Sequence, residues 1–364
     1  MKVLQVITSL YTGGAEKLII DAVPLYQKEG IAVDVLCLKN KKTEFWRTLE
    51  QHSNGKITGL TFGSVYNPLL IIKMIPFLKK YDIIHAHLFP TLYWIVLAKY
   101  ISFSNVKIVY TEHSTSNRRR RNLIFTFLDR WIYRRIDIIG CITEEVKENL
   151  QKHLDIKDSN RFQLIKNGVL LSNFIGAEAI SKKIFFEDQD FIIIQVSSFR
   201  EQKDQFTLIR SLLHLDAKFK LLLVGDGNLR KACEELVLEL ELENRVKFLG
   251  NRADVPQLLK MSDIVVLSSF YEGLSLSSIE GMSVKPFIAS DVPGLRDIVG
   301  GYGLLFKQGS AVELAGKILE LSNDKVLYNT IAQRCFERAQ NFDIHKMVNA
   351  YIQLYRSIKA DKME

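Results

Sequence analysis

Apolar residues in this chain gather in short, nearly unbroken runs, the pattern made by strands buried on both faces of a parallel sheet. The runs Val3–Thr8, Val33–Leu38, Ile57–Leu60, Ile83–Ala86, Val106–Tyr110 and Ile136–Cys141 alternate with helical or loop stretches, the first a helix from about Ala15 to Lys28. Leu164–Val169 reads as a last strand and turn, and the polar, irregular stretch Ser172–Asp190 as a linker. A second series opens at Phe191 and continues through Lys220–Val224, Val246–Leu249, Ile264–Leu267 and Phe287–Ala289. Helices at about 204–215, 228–242, 254–260, 275–283 and 311–323 fill its gaps. Such alternation predicts an α/β chain with two doubly wound parallel sheets. The expected division is residues 1–170, a linker at 171–190, and 191–341, with the helical tail from about 342 to 364 packing back on the first domain.

The stretch Ser268–Glu280 concentrates the chemistry. It follows the apolar run Ile264–Leu267 and places Glu272 and Glu280 eight residues apart across a strand-to-helix junction. Open parallel sheets bind ligands at the carboxyl ends of their strands, and free N–H groups at a helix start suit an anion. Two carboxylates beside such a start can accept hydrogen bonds from the hydroxyls of a nucleotide sugar. Near the N-terminus, Gly13-Gly14 lets the main chain approach a phosphate or sugar closely, but it is neither a dinucleotide fingerprint nor a P-loop.

Composition agrees with a cytosolic enzyme. The chain has 364 residues, 47% of them hydrophobic, enough for two cores. No stretch approaches the roughly twenty apolar residues of a membrane span. The first apolar run is interrupted by Gln5 and Thr8, which makes it a first strand in expectation and not a signal peptide. Cys37, Cys141, Cys233 and Cys335 are too scattered for a disulfide framework or zinc site and read as reduced core residues. Residues 1–170 carry 25 Lys and Arg against 15 Asp and Glu, net +10; the remainder, 24 against 26, is −2, giving the +8 of the whole chain. A basic half calls for an anionic partner there.

Taken in order, the Gly13-Gly14 loop, the Val-Ser-Ser-Phe-Arg-Glu-Gln-Lys stretch ending at Lys203, Gly225-Asp226-Gly227, and the Glu272–Glu280 segment resemble the family-four retaining glycosyltransferases of the GT-B fold. The resemblance covers essentially the whole chain and implies two Rossmann-like domains facing a central cleft. It implies that Glu280 holds the donor ribose and Glu272 the transferred sugar, with the main chain of Gly273, Leu274, Ser275 and Leu276 lining sugar and phosphate. Arg200 and Lys203 correspond to the cations that hold the diphosphate, so no metal is expected. Gly225, Gly227 and the main chain near Arg252 border the base. Gly13 and Gly14 reach the donor from the other domain, and His113 stands near the reacting sugar on the acceptor side.

The match has departures. Ser198 stands where the family usually has its arginine, which moves that role to Arg200. After Glu280 the turn through Pro286 is one residue short and lacks its glycine, and Leu170 replaces a common aspartate. Asp188-Gln189-Asp190 spells a metal-binding pattern of other transferases but precedes a strand, and reads as a turn. His85 and His87 lack a third ligand and read as core or acceptor-cleft lining. Arg118, Arg119, Arg120 and Arg121 precede an apolar segment at a helix start, where positive charge opposes the helix dipole. An anionic membrane surface would offset them; no nucleic-acid motif accompanies them.

The expected activity is retaining transfer of a hexose-type sugar from a UDP-sugar to a glycan or lipid-linked glycan, without metal or other cofactor, as in bacterial surface-polysaccharide synthesis. The expected place is the cytoplasm, peripheral at the inner face of the membrane. A UDP-sugar epimerase of the same fold and a non-catalytic nucleotide-sugar or membrane-binding module are the competing readings.

Overall fold

The computed structural model describes residues 1–11, 13–113, 122–156 and 160–360. The chain forms two compact units, Met1–Gly168 joined by the last helix, Ile344–Ala360, and Val169–Asp343.

In the first unit the strands are β1 Lys2–Ile7, β2 Ala32–Lys39, β3 Ile57–Thr61, β4 Ile83–His87, β5 Lys107–Glu112, β6 Ile138–Cys141 and β7 Phe162–Leu164. They make one parallel sheet in the order β3-β2-β1-β4-β5-β6-β7. The strand order reverses between β1 and β4, the point at which an open parallel sheet leaves a crevice. Helices cover both faces. Helix Gly14–Lys28 buries Leu18, Ile19, Ala22, Val23 and Tyr26. The last helix buries Met347, Tyr351, Ile352, Tyr355 and Ile358, and Tyr355 packs on Tyr26 with ring centroids 5.9 Å apart. All four cysteines are buried and free.

The second unit holds β8 Phe191–Val196, β9 Phe219–Val224, β10 Val246–Gly250, β11 Ile264–Leu267, β12 Phe287–Ser290 and β13 Leu304–Phe306. Its parallel sheet runs β10-β9-β8-β11-β12-β13, with the reversal between β8 and β11. One core joins these strands to the flanking helices, and Ile264, Val265, Val266 and Leu267 are all inside it.

Two expectations need correction. The stretch read as a linker is part of the second unit: it begins at Val169, and Leu171, Phe174 and Phe186 lie in that unit's core. Their apolar side chains are too irregularly spaced to show a strand or helix period, yet each has a pocket to fill. Asp188-Gln189-Asp190 is a turn, as expected, with the Glu187 N–H donating to Asp190 Oδ2 at 3.0 Å. The last strand of the first sheet ends at Leu164, where it was expected to begin, and Val169 instead bridges Asp343. Finally, helix Pro293–Val299 and strand β13 go beyond the sequence-based elements.

Candidate active site

In the second unit the loops after β8 and β11 are laced together at the strand-order reversal. Gln195, near the end of β8, accepts from Ser268 Oγ at 2.9 Å and donates to the Lys203 carbonyl at 3.1 Å. The Phe270 N–H donates to the Gln202 carbonyl at 2.8 Å, and Gln202 Nε2 returns a 2.8 Å bond to the Tyr271 carbonyl. These bonds tie the two loops to each other. The lacing brings Lys203 against Glu272: the ammonium donates to Oε1, which also accepts from Ser269 Oγ at 2.6 Å. The Glu272 and Lys203 side chains are only 7% and 16% exposed. A carboxylate this far from water needs such a counter-charge.

After Glu272 the chain passes Gly273 and the half-buried Leu274 to Ser275, whose Oγ accepts from the Ser278 N–H at 3.4 Å and starts helix Leu276–Met282. Glu280 lies in that helix, half-buried. Arg200 is exposed before the turn Glu201–Lys203 and makes no side-chain hydrogen bond or ion pair among the described residues. Of the two expected cations, one is therefore committed to Glu272 and the other is not.

The remaining residues expected on the donor side lie in neighbouring loops. Gly225, at φ +125°, donates its N–H to the Gly250 carbonyl at 2.8 Å, and a Cβ there would stand 2.1 Å from the Ser197 carbonyl oxygen. Close approach thus locks the Gly225–Gly227 loop onto the segment leading to Arg200. Arg252, two residues past Gly250, makes two hydrogen bonds to Asp254 at 2.8 and 2.7 Å.

Gly294, which the sequence reading missed, packs against the Glu272 loop. A Cβ on it would stand 2.2 Å from the Glu272 carbonyl oxygen and 2.5 Å from that of Gly273. The available signal was the Pro-Gly pair at 293–294. Gly294→Ala is expected to push the Glu272 loop off its seat, lowering stability by about 1–3 kcal/mol and turnover about tenfold or more. Urea unfolding and steady-state kinetics on one preparation check both.

In the first unit, Gly13 precedes helix Gly14–Lys28 in an extended conformation, with the Glu16 carboxylate folded over it. Burial raises the Glu16 pKa above the usual range. His113 follows β5 and stands 3.2 Å from His87, at the end of β4, measured from Nε2 to Nδ1. Burial lowers His113 to about 4 and His85 to about 3, and His87 falls well below its ordinary value, so all three rings are neutral at pH 7. Among the described residues no cluster of metal-ligating side chains occurs. Arg118 to Arg121 lie outside the described residues.

Residues 12–173 match the model for Glycosyltransferase Family 4, and residues 176–342 that for Glycosyl transferases group 1. The N-acetyl-alpha-D-glucosaminyl L-malate synthase of Bacillus anthracis is 27% identical over 298 residues, 78% of this chain and 76% of that protein. The UDP-Gal:alpha-D-GlcNAc-diphosphoundecaprenol alpha-1,3-galactosyltransferase of Escherichia coli is 28% identical over 305 residues, 78% and 77% of the two chains. Among solved structures, Anabaena HepE, determined with UDP and glucose, superposes with a TM-score of 0.84 at 24% identity, covering 98% of this chain and all of that one.

Proposed function

The chain belongs to glycosyltransferase family 4 and has its GT-B fold of two Rossmann-like domains, and on that footing we propose that it transfers a hexose-type sugar from UDP to a lipid-linked glycan, with retention of configuration and without a metal. The observation that carries this reading is the Lys203–Glu272 pair at the reversal between β8 and β11, with Glu280 on the helix that follows. A diphosphate needs cations and a sugar needs fixed acceptors, and this corner supplies both. Glu272 takes a pair of sugar hydroxyls, Lys203 and Arg200 the departing diphosphate, and Glu280 the ribose diol. The loops of Gly225, Gly227 and Arg252 border the base. Gly13, Gly14 and His113 serve sugar and acceptor from the first unit.

In front-face displacement the bond from the anomeric carbon to the diphosphate oxygen breaks as the acceptor oxygen bonds to the same face. The hydroxyl proton passes to the leaving diphosphate, so no protein nucleophile is needed. Lys203, once shared between Glu272 and phosphate oxygens, offsets the charge that grows on the leaving group. The relative named as acting on a diphosphoundecaprenol-linked sugar supports a lipid-linked acceptor.

The test is nucleoside diphosphate release from UDP-, GDP- and dTDP-sugars in EDTA, with and without a membrane lipid extract. Release from one UDP-sugar that rises with the extract is expected; loss of all release in EDTA contradicts the metal-free reading.

Peripheral membrane binding is part of the same proposal. Helix Leu123–Tyr133, directly after the arginine run, buries Asp129, Ile132 and Tyr133 but leaves Ile124 72% and Phe127 73% exposed. Apolar side chains beside arginines suit the interface of an anionic bilayer. Ile124→Ser with Phe127→Ser is expected to weaken binding to anionic vesicles several-fold, by about 1 kcal/mol or more, with turnover on a soluble acceptor unchanged. Undiminished flotation with vesicles contradicts it.

A further inference from the structure

Beneath His113 runs a chain of buried polar side chains that joins three strands to the last helix. Gln5 on β1 and His85 on β4 are register partners, as are His87 on β4 and Thr111 on β5. The two-residue period of the strands turns Gln5, His85, His87, Thr111 and the following His113 to one face of the sheet. Gln5 stands at the middle. Its Oε1 is 2.7 Å from His87 Nε2, and its Nε2 donates to the Tyr355 hydroxyl at 3.2 Å. That hydroxyl lies 2.6 Å from His85 Nδ1, and His85 Nε2 lies 2.7 Å from Thr111 Oγ1.

An amide oxygen can only accept, so His87 Nε2 must carry a proton. Burial keeps the His87 ring neutral, which leaves its Nδ1 bare. His113 Nε2, 3.2 Å away, must then be the donor between the two rings. A neutral His113 with its proton on Nε2 has a bare Nδ1, which makes no hydrogen bond among the described residues. The orientation of one amide, two side chains away, sets what His113 offers a ligand. Reversing that amide would reverse each bond in turn and give His113 an Nδ1–H donor instead.

We propose that Gln5 is a positioning residue that holds His113 in the Nε2–H tautomer, so that its Nδ1 lone pair accepts a hydrogen bond from a hydroxyl of the sugar or acceptor. The tautomer stands on the first unit's geometry alone; only its use by a hydroxyl rests on the transferase reading. The site takes a donor group at this point, and a ligand presenting only an ether or carbonyl oxygen there is disfavoured.

Histidine 15N spectra of the full chain at pH 7.5, with the His113 signals identified by their loss in His113→Gln, test the proposal without substrate. In the wild-type protein His113 is expected to show a protonated Nε2 and an unprotonated Nδ1. Gln5→Met removes the acceptor for His87 and is expected to give His113 a mixture of tautomers and to cut turnover about tenfold. Gln5→Glu keeps an acceptor at the same place and is expected to restore the wild-type tautomer. A proton on Nδ1 of wild-type His113 overturns the proposal even if neither variant folds, as does a tautomer unmoved in folded Gln5→Met. If the chain proved not to be a transferase, the spectra would still decide the tautomer.

Discussion

Glutamine in place of Glu272 is expected to lower sugar transfer about a hundredfold or more while UDP affinity stays within about threefold. The carboxylate offers two acceptor oxygens, and Lys203 and Ser269 both bond Oε1. An amide keeps one acceptor, enough to hold those two partners and the loop. Its other end becomes a donor and the charge is gone, so a sugar hydroxyl that donated to the carboxylate must turn round or lose its bond. The sugar then loses the fixed position on which front-face attack depends, whereas the groups proposed for base and ribose, near Gly225, Arg252 and Glu280, are untouched. Steady-state kinetics with calorimetric titration of UDP separates the two effects. Wild-type turnover in Glu272→Gln removes this glutamate from the site.

Lys203→Met is expected to act on both function and fold. Losing one of two cations at the diphosphate should cost about 10²–10³ in turnover and weaken UDP binding as well. It also strands the Glu272 carboxylate, 7% exposed, with Ser269 as its one remaining partner among the described residues. Breaking one side of a buried pair costs about 3 kcal/mol. Combining Lys203→Met with Glu272→Gln removes the stranded charge and should recover most of that stability with no recovery of turnover. Equal stability of the single and double variants would show that the pair has no structural weight. The contrast separates a pair kept for catalysis from one kept for folding.

The two sheets were legible because their strands are buried on both faces, and an unbroken apolar run such as Ile264–Leu267 fits few places other than the middle of a covered sheet. Helix Ala311–Asn323 was legible too, since Ser310 caps it and Leu314, Ala315, Ile318 and Leu321 recur on one face. Elements held mainly by neighbours were not. Strand β13 is three residues long, and helix Pro293–Val299 is short, burying Leu295, Ile298 and Val299 and passing Gly294 close to the Glu272–Gly273 carbonyls. The same limit applies to the site. The glutamates and Lys203 are visible as residue types at strand ends, but their pairing joins positions 69 residues apart, and the Gln5–Tyr355 bond positions 350 apart. No local spacing encodes either contact; the topology of the sheets does.

The central claim is best tested by following the sugar itself. UDP-hexose labelled in the sugar, incubated in EDTA with the protein and a membrane lipid extract, should pass its label into the organic phase in step with UDP release, and the new linkage should keep the donor's anomeric configuration. Label that stays on the nucleotide for every UDP-hexose, although UDP binds saturably, would contradict the account.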